Sequence, residues 1–87
     1  MVHLNSKNRK TLEALFETPA RSDVRWADFK ALLTSLEATI SEGRGSRVRV
    51  LLNNCEAVFH RPHPRPDMNK GAVGSAREFL RRSGVEP

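Results

Sequence analysis

Two six-residue stretches alternate between inward and outward positions and predict the centre of the fold. Arg47–Leu52 (Arg-Val-Arg-Val-Leu-Leu) and Cys55–His60 (Cys-Glu-Ala-Val-Phe-His) both read with a period of two, the mark of strands with one buried face. Asn53-Asn54 separates them, and asparagine tolerates the left-handed backbone that a two-residue hairpin turn requires. This loop length sets the register. Leu52 then faces Cys55, Val50 faces Ala57 and Val48 faces Phe59, so one sheet face is entirely apolar. The other face pairs Arg47 with His60, Arg49 with Val58 and Leu51 with Glu56. A slip of one residue would mix the two sets, so the register is well specified.

Helical spacing flanks the hairpin. Ser6 can cap a first helix over residues 6–18, with Leu12, Leu15 and Phe16 inward and Pro19 closing it. Residues 20–25 read as a connector. Ser22 or Asp23 then caps a second helix, where Trp26, Phe29, Leu32, Leu33 and Leu36 recur on one face. Residues 38–42 form a short strand, and Gly43-Arg44-Gly45-Ser46 is a loop. After the hairpin, His60-Arg61-Pro62-His63-Pro64-Arg65-Pro66 cannot continue a central strand, because three prolines remove three donors. Asp67 or Asn69 opens a last helix through Ser83, with Val73, Ala76, Phe79 and Leu80 inward and Gly84 as its stop. The order is α-α-β-β-β-α, an α+β fold with a three-stranded antiparallel sheet packed on helices.

Composition narrows the function. Eighty-seven residues make one domain over 1–87. No apolar run reaches the length of a membrane span, the first residues lack a secretory apolar stretch, and Cys55 is the sole cysteine. A cytoplasmic protein without membrane contact is expected. Fifteen Lys and Arg against ten Asp and Glu give a net charge of +5. Such a domain attracts polyanions, of which nucleic acid is the commonest in a cytoplasm. Charge alone serves a solvated basic surface or an acidic protein partner equally well.

From the second helix onward, over about residues 22–87, the chain resembles the HicA toxins. The resemblance rests on Trp26 to Leu36, Glu42-Gly43-Arg44-Gly45-Ser46, Lys70-Gly71-Ala72-Val73, and Phe79-Leu80-Arg81-Arg82-Ser83-Gly84-Val85, in that order. It implies a double-stranded-RNA-binding-like fold to which the first helix is an addition. It further implies an mRNA endonuclease of a toxin–antitoxin system, which inhibits translation and growth and is neutralised by a HicB-type antitoxin. No cofactor is implied. The family pattern also implies a catalytic histidine directly after Gly45-Ser46, where this chain carries Arg47. An arginine cannot exchange protons near neutral pH, so it is no substitute for a general base.

The register offers another imidazole. His60 sits across from Arg47 on the outer face, with side chains expected ~5 Å apart. RNA cleavage without a metal needs a base for the 2′-hydroxyl, an acid for the leaving oxygen and a cation for the transition state. Histidine serves either proton-transfer role and arginine offers phosphate a donor fork. The candidate catalytic residues are therefore His60, His63 and Arg47, with Arg44, Ser46, Arg49, Arg61 and Lys70 as RNA-binding candidates. The last helix can present its N-terminus to a phosphate, or Gly71 and Gly74 merely permit close packing. Arg77, Arg81 and Arg82 read as a solvated face. Cys55, His60, His63 and His3 are potential zinc ligands, but Cys55 and His60 fall on opposite faces, so no metal is expected. Two alternatives stay open: a non-catalytic RNA-binding or antitoxin-binding module, and a plain protein-interaction domain.

Overall fold

The hairpin forms as its alternation demands, and the rest of the chain is arranged around its apolar face. The computed structural model describes residues 3–87. Its elements are α1 (Ser6–Leu15), α2 (Trp26–Ser35), β1 (Thr39–Glu42), β2 (Arg47–Leu52), β3 (Cys55–His60) and α3 (Lys70–Arg82). The sheet is antiparallel in the order β1-β2-β3. Asn53 and Asn54 both adopt positive φ (49° and 66°), and the pairing runs from Leu52 with Cys55 to Arg47 with His60. Val48, Val50, Leu52 and Phe59 are buried, while Ala57 and Cys55 are half-buried. Arg47, Arg49, Leu51, Glu56, Val58 and His60 are exposed. Among the described residues no element covers that outer face.

The helices cover the inner one. Phe29, Leu32 and Leu33 of α2 and Val73, Ala76, Phe79 and Leu80 of α3 meet the strands in one core, with Leu12 and Leu15 of α1 beside them. Phe59 is central: its ring lies 5.2 Å from that of Phe29 and 5.8 Å from that of Phe79, both edge-to-face. Each fully buried side chain of this kind contributes about 1.5–3 kcal/mol relative to exposure. The α+β order from α2 to α3 is that of double-stranded-RNA-binding-like domains, with α1 added in front.

Three helix boundaries differ from the sequence reading, each through a contact of long range or an unforeseen cap. Asn5, not Ser6, caps α1, its side chain accepting from the Asn8 amide at 2.8 Å. The same helix stops at Leu15, short of residue 18. There Arg77 of α3 donates to the Leu15 carbonyl at 2.9 Å and to the Glu17 carbonyl. Arg77 therefore caps α1 across the fold, which corrects its assignment to a solvated face. Neither Ser22 nor Asp23 caps α2. Arg25 holds that position because the chain from Val24 to Trp26 is paired with Pro66 to Met68. The Trp26 amide donates to the Pro66 carbonyl (3.0 Å) and the Met68 amide to that of Val24 (2.8 Å). Asp23 is engaged instead by Arg21, whose guanidinium holds its carboxyl below the usual range. Asn69 caps α3 as expected, accepting from Ala72 at 2.7 Å.

Candidate RNA-binding and catalytic site

The outer sheet face brings Arg47, Ser46 and His60 together at one end, where β2 begins and β3 finishes. His60 and Arg47 are direct cross-strand neighbours, both exposed. The ladder runs one residue further, with the Arg61 amide donating to the Ser46 carbonyl at 2.8 Å. This brings the Ser46 side chain beside the imidazole, its Oγ 3.5 Å from His60 Nδ1.

Arg47 and His60, paired across the strands, each line a different groove. On the outer face, Arg44, Arg47 and Arg49 line a concavity with Ser41, Glu42, Gly43 and Val58. Arg49 has a carboxylate neighbour only at 3.9 Å, from Glu56, and both side chains are well exposed. Such a pair stabilises little and yields readily to a stronger anion. The second groove runs under the proline-rich loop, where His60, Arg61, His63 and Arg65 face Asn69 and Ala72 at the start of α3. His60 and His63 thus share one groove, with the arginine-lined groove alongside. Lys70 begins α3 next to Asn69 but lines neither groove. An added Cβ at Gly74 would meet open space, so close packing does not account for that glycine.

Arg61 uses both of its terminal guanidinium nitrogens within the protein. One guanidinium nitrogen bonds the Glu42 carboxylate, and the other donates to the Gly45 carbonyl at 2.7 Å. Glu42 also receives Lys30 of α2, at 3.3 Å. Glu42 is the residue that sequence reasoning missed, since only the pairing of β1, β2 and β3 brings Arg61, 19 residues on, to this acid. Gly45 needs its glycine, at φ +63°, to close that loop. Cys55 lies away from the histidines, on the inner face, its thiol donating to the Arg82 carbonyl at 3.3 Å. Among the described residues no group of three or more His, Cys, Asp or Glu side chains is placed to hold a metal ion.

Residues 26–85, from the first residue of α2 to just past α3, match the family model described as HicA toxin of bacterial toxin-antitoxin. The chain belongs to the HicA toxin family. No curated protein and no solved structure matched it. As a HicA toxin it belongs to a toxin–antitoxin system, and an antitoxin partner follows from that membership. The HicA match contains the whole sheet, both grooves and α3, and leaves α1 outside. No helix among the described residues is long and apolar enough to cross a membrane.

Proposed function

We propose that this HicA toxin is a metal-independent endoribonuclease that cleaves mRNA in the cytoplasm, inhibits translation and growth, and is neutralised by a HicB-type antitoxin. The observation that carries the reading is the pairing of His60 with Arg47 on an uncovered sheet face beside an arginine-lined groove. Arg44 and Arg49 draw the phosphate backbone onto that face, and Arg47 directs its donor fork to the oxygens of the reacting phosphate. His60 accepts the proton of the 2′-hydroxyl as the 2′-oxygen attacks phosphorus. The bond to the 5′-oxygen breaks, and His63, in the same groove, protonates it. A 2′,3′-cyclic phosphate and a free 5′-hydroxyl result.

Purified protein tests this on a structured mRNA in the presence of EDTA. Cleavage by the native chain, lost in His60→Ala with an unchanged circular dichroism spectrum, is the expected outcome. Full activity in His60→Ala removes that residue from the site and makes His63 the next candidate. Arg47→Ala should weaken cleavage, and Arg47→His should raise it. Arg47, standing where the family pattern has histidine, favours a second reading, a non-catalytic RNA-binding or antitoxin-binding module. RNA binding without any cleavage by the native chain decides for that alternative.

A further inference from the structure

We infer that Ser46, seated by an Arg61–Glu42 clamp, is a positioning residue that fixes the imidazole of His60. The inference rests on His60 acting in the proposed cleavage and gives Ser46 and Arg61 a role other than contact with RNA. A solvent-exposed histidine at a strand end has free rotation about two bonds, and general base catalysis needs one ring nitrogen aimed at the proton it removes. Ser46 is the side chain in reach of the other nitrogen, with its Oγ 3.5 Å from Nδ1. Contacts of this length in a free enzyme commonly shorten when substrate arrives.

The hydroxyl suits the task because it both donates and accepts. In the neutral ring with its hydrogen on Nε2, Ser46 donates to Nδ1. When Nε2 must take a proton, Nδ1 carries the hydrogen and Ser46 accepts it. The imidazole can therefore change protonation state without losing its partner.

Ser46 is itself held firmly. Its carbonyl accepts the Arg61 amide at 2.8 Å, and the loop before it is closed by the Gly43 amide donating to the Arg47 carbonyl at 2.8 Å. The Arg61 side chain ties the same loop to β1, reaching the Gly45 carbonyl and the Glu42 carboxylate, which Lys30 anchors to α2. A chain of contacts thus runs from α2 through Glu42, Arg61 and the loop to the Ser46 hydroxyl. Two of the five N–H donors of Arg61 are spent in this way, which leaves it less to offer a phosphate than an unengaged arginine.

The test reads His60 directly, by nitrogen-15 NMR of its imidazole across a pH titration of the full chain. Ser46→Ala is expected to shift the His60 tautomer ratio, and to lower kcat by about tenfold with KM nearly constant. Ser46→Thr, which keeps the hydroxyl, is expected to restore both. Arg61→Gln is expected to move the same resonances in the same direction, although the hydrogen bonds of Arg61 go to Glu42 and Gly45 and not to the ring. His60 resonances that stay in place in Ser46→Ala overturn the inference, whatever happens to activity. A rise in KM alone, with an unmoved His60 spectrum, also overturns it and makes Ser46 an RNA contact. Moved resonances with unchanged kcat overturn instead the catalytic reading beneath it, since Ser46 would then hold a histidine that does no chemistry.

Discussion

The two faces of the β2–β3 hairpin are built from alternate residues of the same strands, yet they carry opposite loads. On the inner face Val48, Val50 and Phe59 are enclosed by α2 and α3. On the outer face Arg47, Arg49 and His60 meet solvent, together with Leu51 and Val58, which are 44% and 45% exposed. Backbone pairing is shared, so the difference lies wholly in which way each side chain points. Fold stability and proposed chemistry are therefore separable by residue parity. A substitution at an inner position should act on stability, and one at an outer position on RNA handling.

Phe59→Ala is the strongest test on the inner side. The ring is 5% exposed and touches aromatic rings of both helices, so truncation should cost about 3–5 kcal/mol. A domain of this size has only about 5–15 kcal/mol in total, and the variant should melt far below the native chain in a urea or thermal scan. A loss under ~1 kcal/mol would break the comparison, because the inner face would then not bear the fold.

His60→Ala is the matching test outside, of comparable size in free energy. Positioned acid–base catalysis typically contributes ~10²–10⁴-fold, so cleavage should fall by that factor. Stability should stay within about 0.5 kcal/mol, as for an ordinary surface change. If the variant also unfolds easily, the outer face shares the structural load and the division by parity fails.

Legibility in the sequence follows the same division. The hairpin could be read to the residue because its alternation and its turn are local signals that agree. The inner positions of α3 were equally plain, and Gly84, at φ 83°, stops that helix as its sequence position suggested. The end of α2 was less visible. Glu37 takes the left-handed position there at φ 65°, and the Ala38 amide bonds back to Leu33, the geometry usually given to glycine. The start of α2 and the end of α1 depend on Pro66, Met68 and Arg77, which lie some 40 to 60 residues away in sequence, and no local pattern encodes such contacts. In the site, the pairing of His60 with Arg47 was legible from register alone. The engagement of Arg61 was not, since a cation next to a candidate histidine looks the same in sequence whether it faces a phosphate or a carboxylate.

Arginines sharpen the contrast further. Arg77, on the covered side, donates to two carbonyls at the end of α1. Arg77→Ala leaves those acceptors without their partner, and the loss should be about 1–3 kcal/mol in a denaturant titration, with RNA affinity unchanged. An RNA-binding defect at equal stability would place Arg77 among the phosphate contacts.

Arg49→Ala carries the smallest expected effect and tests the outer face by itself. Arg49 lies in the arginine-lined groove, its one ion pair among the described residues made with a well-exposed Glu56 at 3.9 Å, so its removal should leave the melting midpoint nearly unchanged. A guanidinium that neutralises one phosphate releases roughly one counterion on binding. The plot of log affinity against log salt should accordingly lose about one unit of slope, with weakening that is similar across RNA sequences. Arg61→Ala should change that slope less, because its guanidinium already bonds Glu42 and Gly45 rather than an incoming phosphate. Equal slope changes in the two variants would show that the Glu42 contact gives way when RNA binds, and Arg61 would then rejoin the phosphate-binding set. No slope change in Arg49→Ala would mean that RNA, if bound at all, does not lie across the open face of the sheet.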